Sequence, residues 1–414
     1  MKSNKVFYGW WVAAGLLFVS FFGVIGRFTA GALGPTMMRD TGWSRSDIML
    51  SVTIGLLVYA VAVVFVGRLI DTIGARKVIA VAGGSGIVGF LLFSRATELW
   101  HLYVAAGFFL AICTAGTHMV PEQAVTRKWF IKRASLVAGL AAIGYSLSLG
   151  VLFPLITRGG VNYGWRPVAL VLAVSGVVIL LLGRFIIRDT PESVGLRPYG
   201  TDEIASNSAS GMVAMETAMP ASQAVRTVSF WALSLTWGFG LAIQGFMPSL
   251  AFWGEAVGAS PATAGLFATA FTVPAMVVKP VWGYLGDRFG KRKAGLVGSS
   301  ACCLIFLAGW LLVKDIPSLI VLCALYGLAY PHLVVITPYT GDLFGRASLG
   351  TLTGYGIAIH GFLGALSPIL WTRSFDLTGS YNHACFLSAV VYLGVMACWL
   401  LARPLKARHT IPLP

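Results

Sequence analysis

Gly67-Arg68-Leu69-Ile70-Asp71-Thr72-Ile73-Gly74-Ala75-Arg76-Lys77 recurs 216 residues later as Gly283-Tyr284-Leu285-Gly286-Asp287-Arg288-Phe289-Gly290-Lys291-Arg292-Lys293. Each copy ends one long apolar run and precedes another. A second pair repeats at nearly the same offset: Arg133-Ala134-Ser135-Leu136 returns as Arg346-Ala347-Ser348-Leu349, 213 residues on. Two such matches indicate a duplicated unit whose halves pack as related bundles about an axis normal to a membrane.

The composition fits that reading. Of 414 residues, 57% are hydrophobic and only 11% are charged, with a mean hydropathy of +0.81. A soluble domain carries about 25% charged residues because its surface faces water. A single soluble core is therefore excluded, and the bilayer is the natural solvent. The 49 glycines suit helices that approach closely inside lipid. All six cysteines fall in apolar runs without CxxC or Cys/His spacing, so they read as reduced core residues, and no metal or other cofactor is expected.

A membrane helix needs about 20 mostly apolar residues. On that rule twelve spans fall near 8–30, 46–70, 78–96, 100–125, 135–157, 166–187, 228–252, 262–285, 294–313, 317–339, 348–372 and 383–402. The first run follows Lys2 and Lys5 as a signal peptide's would, but it is too long for one and is kept as a span. The expected fold is all-α, with a six-helix bundle over 1–187, a cytoplasmic linker over 188–226 and a second six-helix bundle over 227–414. The linker, rich in Ser and Ala, is expected to be partly disordered. With both termini inside, cytoplasmic segments hold 21 of the 30 Lys and Arg, external loops seven and the membrane two. That bias sets the orientation of a multi-pass inner-membrane protein, and it accounts for the net charge of +15 without nucleic acid as a partner.

The G-x-x-x-D-x-x-G-x-R-K pattern, present in both halves after the second and eighth spans, resembles the loop signature of the major facilitator superfamily. By that resemblance Gly67, Asp71, Gly74, Arg76 and their counterparts Gly283, Asp287, Gly290, Arg292 form a gating motif that does not touch cargo. The aspartates sit at helix ends, where they can accept backbone N–H groups and pair with nearby arginines. Tyr8-Gly9-Trp10-Trp11-Val12, Phe130-Ile131-Lys132-Arg133-Ala134-Ser135, Gly164-Trp165-Arg166 and Pro191-Glu192-Ser193-Val194-Gly195-Leu196-Arg197-Pro198 together resemble the monocarboxylate transporter and oxalate/formate antiporter families. The resemblance implies a carrier of small carboxylates.

An ionisable side chain deep in a membrane helix is costly and usually faces a cavity. Lys279 lies eight residues before Asp287, about 12 Å up span eight, with no acidic neighbour within two turns on its own helix. A carboxylate cargo would supply a counter-charge through a charge-assisted bond. The resembled families carry an arginine there; lysine keeps the charge but not the bidentate fork. The alternative is that Lys279 snorkels to the interface. His360 stands about 16 Å into span eleven, where the oxalate/formate members carry a second basic residue; the bland alternative is a structural histidine on a neighbouring carbonyl.

His118 precedes Glu122 by four residues, so the two share a helix face despite Pro121, either as a proton relay or as an ordinary buried pair. Tyr330 offers a hydroxyl to cargo, and His332 follows it beyond Pro331. Arg27 comes about 27 Å along span one from Gly9, near the outer face, where it either attracts anions or snorkels. The monocarboxylate family's aspartate one turn before the span-eight cation is Ala275 here. Proton coupling would therefore fall to His360, His118, Glu122 or Lys279, and anion exchange of the oxalate/formate type is the alternative.

The leading expectation is a monomeric secondary transporter of lactate- or pyruvate-like carboxylates, coupled to a proton, working by alternating access. An enzyme is not expected, since there is no nucleophile elbow, HExxH or phosphate-cradling loop. A passive channel fits duplicated gating loops less well, and basic midplane residues argue against cationic drugs as cargo.

Overall fold

The computed structural model describes residues 7–130, 134–201, 219–240, 242–260, 263–345 and 349–403. The repeat that starts at Arg133 and Arg346 lies largely outside the described residues, as do 202–218 of the linker and the side chain of Asp71. Among the described residues the chain is helical throughout, apart from one isolated bridge between Phe130 and Tyr199.

Eleven helices among the described residues are long and apolar enough to cross a membrane: Gly9–Thr41, Arg45–Ile70, Ala75–Ser94, Leu99–Thr126, Gly139–Tyr163, Trp165–Phe185, Leu266–Phe289, Lys291–Leu312, Ile316–Phe344, Thr351–Thr378 and Asn382–Leu401. The expected seventh span is instead two shorter helices, Val228–Phe239 and Ala242–Ala256, on either side of Leu241. With that interrupted segment the expected twelve-span fold is complete. Spans three and nine are unbroken helices, Ala75–Ser94 and Lys291–Leu312. In span three a β-carbon at Gly83 would lie 2.7 Å from the Leu180 nitrogen, and one at Gly176 of span six would lie 2.6 Å from the Ile87 nitrogen. These small residues are a contact between spans three and six, not a loop.

Span one runs eleven residues beyond its expected end. Pro35 is carried inside it, and the helix stops only at Gly42, whose φ of 74° lets its N–H close on the Met38 carbonyl. Ser44 then opens span two, accepting the Asp47 N–H at 3.0 Å. This corrects the position of Arg27. It lies about 27 Å from Gly9 and about 21 Å from Thr41, near the middle of the helix and not at an outer face.

The chain divides into two compact units, Met1–Val213 with Pro261–Leu266, and Ala214–Ser260 with Phe267–Pro414. In the first, the opening of the linker is fastened down. Tyr8 donates to the Ile186 carbonyl and Trp129 Nε1 to that of Arg188, while the Tyr199 N–H donates to the Trp129 carbonyl. Phe7, Trp10, Phe130 and Tyr199 complete an aromatic cluster with centroids 5.3–6.4 Å apart. Residues 188–201 are thus held to the first unit, and two of the four resemblance motifs, those at Tyr8 and Phe130, meet in the clasp.

Candidate functional site

The repeated loop is built the same way in each unit. Its second glycine, Gly74 or Gly290, takes φ of 90° or 97° and starts the next helix, a conformation that side chains with a β-carbon resist. Two residues on, Arg76 reaches the Arg184 carbonyl with Nε at 3.1 Å and a terminal nitrogen at 2.6 Å. Its counterpart Arg292 reaches the Trp399 and Leu400 carbonyls at 2.9 and 2.7 Å. In both, a cation holds the C-terminal carbonyls of the unit's last helix, where the helix dipole is negative. Asp189 of the linker accepts the Arg76 N–H at 2.9 Å and so caps span three. Among the described residues Asp287 has Lys291 at 4.0 Å and no arginine as ion-pair partner, and Lys291 is closer to Asp342, at 2.6 Å. Gly67 approaches Val120 and Gly283 faces open space.

In the first unit, span four leaves α-geometry between Thr117 and Val120. His118 is extended, and Met119 takes φ 51° and ψ −67°, the chain's one positive-φ residue other than glycine among those described. The Val120 N–H closes on the His118 carbonyl at 2.7 Å, a γ-turn of the strained sense. The expected shared helix face of His118 and Glu122 is therefore broken. Their contact survives across the break, with Nδ1 3.2 Å from Oε1. His118 Nδ1 also lies 3.1 Å from the Ser20 hydroxyl, and its ring stacks on Tyr145 with centroids 5.1 Å apart. Glu122 is 3% exposed. Arg27 sits over the Tyr59 ring at 5.3 Å, and the Tyr59 hydroxyl is within electrostatic reach of Arg27, Glu122 and Tyr145. The first unit thus gathers one cation, one carboxylate, one imidazole and two phenols. A cleft with room for about one water lies beside Arg27, lined by Ala30, Ser51, Gly55 and Thr114.

In the second unit, Lys279 lies about 20 Å from Leu266 and about 15 Å from Phe289, near the middle of the 24-residue span eight. It shares a helical stripe with Ala268, Thr272, Ala275, Trp282 and Gly286, which are buried or half-buried, while Val273, Val277 and Val281 on the other side are exposed. Lys279 itself is exposed, so it emerges from the protein-facing side and not from the valine face turned to lipid. Pro280 has no N–H to offer the Met276 carbonyl, which loosens the helix beside the cation.

His360 is half-buried. Its Nδ1 lies 3.0 Å from the Trp237 carbonyl, so the proton on that nitrogen is fixed, and its ring meets the Trp237 indole edge-on at 5.8 Å. That carbonyl belongs to the last turn of the helix Val228–Phe239. Tyr330 packs between Phe271 and Tyr326, both 5.7 Å away. It starts a tighter 3₁₀ stretch, Tyr330–Val335, that interrupts span ten as the γ-turn interrupts span four. His332, within that stretch, is fully buried. It holds the Ala329 carbonyl at 2.9 Å and the Ser299 hydroxyl at 3.0 Å, the surroundings of a core histidine.

The duplicated bundles, the twin arginine locks and paired helix interruptions define one architecture, and one family model matches it twice, over residues 16–247 and 232–413. The chain belongs to the Major Facilitator Superfamily. Monocarboxylate transporter 14 of Mus musculus is 20% identical over 96% of this chain and 90% of its own. Probable nitrate/nitrite transporter NarK2 of Mycobacterium tuberculosis is 23% identical over 96% and 98%. Among solved structures, the D-xylose-proton symporter superposes with a TM-score of 0.73 at 12% identity, covering 96% of this chain and 98% of that one, which shows the shared superfamily fold.

Several residues of the site were not legible in advance. Ser20 precedes Arg27 by seven residues, a spacing that puts both on one helix face, and could have been found. Tyr59, Tyr145 and Trp237 carry no such signal. Met119 stands at a positive φ where glycine or asparagine is the usual occupant.

Proposed function

We propose that this chain is a secondary carrier of small organic carboxylates, lactate- and pyruvate-like monocarboxylates first, moved with a proton by alternating access of its two halves. The observation that carries the reading is Lys279, a cation at mid-depth on the inward stripe of span eight. Its ammonium pairs with the cargo carboxylate, and His360 and Tyr330 offer hydrogen bonds within the same unit. An empty basic site disfavours reorientation through low dielectric, and a bound anion neutralises it. Two distant relatives bear names of anion transporters, which supports an anionic cargo. The charge bias supports a location in the cytoplasmic membrane with both termini inside.

A second reading, a carboxylate exchanger of the oxalate/formate type, is favoured by Ala275, which leaves no carboxylate one turn before Lys279. Radiolabelled L-lactate uptake into proteoliposomes separates the two. Stimulation by an inward proton gradient supports symport. Uptake that needs a trans anion and ignores pH supports exchange, and the absence of lactate uptake and counterflow alike removes this cargo.

A further inference from the structure

We propose that Glu122 and His118 form the proton-binding site of this carrier, the proton residing on the pair while the carboxylate is bound. The inference rests on the carrier reading above and places its coupling group in the first unit, away from Lys279's own helix.

The geometry is that of a two-state proton holder. One imidazole nitrogen, Nδ1, faces two oxygens, Ser20 Oγ at 3.1 Å and Glu122 Oε1 at 3.2 Å. With Glu122 ionised, a protonated Nδ1 donates to the carboxylate. With Glu122 protonated, the carboxyl O–H or the Ser20 hydroxyl donates to a bare Nδ1. Both states keep their hydrogen bonds, so a proton can be gained or lost without leaving a buried polar group unsatisfied.

The surroundings favour a change of one charge. Span one presents Arg27 and Ser20 to the cluster, span two presents Tyr59, and span five presents Tyr145. From span three, Val78 and Ala82 pack against Gly116. Arg27 offsets the ionised carboxylate; protonation of the pair leaves the cation for the cargo side of the balance. One proton and one carboxylate anion then cross together without net charge. An O–H bond forms on Glu122 from water on one side and breaks to water on the other, and no other bond changes. The strained γ-turn at Met119 sits between the two partners, so any relaxation of this turn alters their separation directly.

The test uses the full chain in liposomes and L-lactate as probe. In Glu122→Gln the ratio of gradient-driven accumulation to lactate counterflow falls by about tenfold or more, a typical coupling factor, and His118→Asn lowers the same ratio. A ratio within about twofold of wild type in both variants overturns the proposal, as does wild-type uptake indifferent to the gradient. An infrared pH titration gives a readout independent of cargo: a carboxylic-acid carbonyl band titrates in wild type and is missing in Glu122→Gln. If Glu122→Gln does not fold, Glu122→Asp keeps the band and shifts it. Failure of wild-type counterflow refutes lactate as cargo, while the infrared band then decides the proton site by itself; its absence overturns the site.

Discussion

His332→Leu separates a core histidine from a cargo ligand. Leucine is close in bulk and can rest against Gly298, where a β-carbon would already overlap the His332 side chain, and against the Trp282 ring, 6.0 Å from the imidazole. What is lost is two hydrogen bonds, to Ala329 and Ser299. In the variant the Ser299 hydroxyl is free to donate to the Gly295 carbonyl, 2.7 Å away, so it keeps one partner. Side-chain hydrogen bonds between membrane helices contribute about 0.6 kcal/mol on average and up to about 1.7. Two of them give a destabilisation of about 1–3 kcal/mol. For a unit of about 200 residues that lowers the melting temperature by about 2–12 °C. The assay is intrinsic fluorescence during heating in detergent, paired with lactate KM in liposomes. The expected result is the thermal shift with KM unchanged. A normal melting temperature with KM raised by about tenfold would show that His332 touches cargo and refute the reasoning.

Lys279→Ala is expected to raise lactate KM by about 10- to 150-fold, the loss of one charge-assisted bond of about 1.5–3 kcal/mol, while Lys279→Arg stays near wild type; equal effects of both substitutions in an uptake assay would contradict this. Gly176→Val drives a branched side chain into the span-three backbone near Gly83 and Ile87, at a cost of about 1–3 kcal/mol, and should lower the yield of monodisperse protein on size-exclusion chromatography. Met119→Gly fits the positive φ and should fold at least as well as wild type, whereas Met119→Val should melt lower, since a β-branched residue resists that region.

How far the sequence could be read depended on which interactions are local. The duplicated Gly-Asp-Gly-Arg-Lys loop announced itself because its residues act on neighbours a few positions away: Gly74 and Gly290 turn the chain and start the next helix. The partners of Arg76 and Arg292 lie more than a hundred residues on and gave no sign. The end of span one was misjudged because the rule of about 20 apolar residues sets a minimum length, whereas the helix runs on through Pro35 to its cap at Gly42. Arg27 moved from the outer face to mid-helix for that reason alone. Conversely, His118 and Glu122 were paired from helical spacing that the structure breaks, and they meet because the γ-turn compensates. Lys279 needed the burial of its own helix before its direction could be read, since a hydropathy run does not distinguish inward stripe from lipid face.

The clasp at Tyr8, Trp129 and Tyr199 bears on how the polypeptide can be divided. It secures the chain as far as Thr201 to the first unit, and the Met219 N–H is already bonded to the Phe344 carbonyl of the second. A peptide bond opened between those two points leaves both the clasp and the Met219 bond intact. Two fragments, co-expressed from separate start codons and meeting only in the membrane, are therefore expected to reconstitute a working carrier, whereas fragments divided at residue 187 would strip the first of its own fastening.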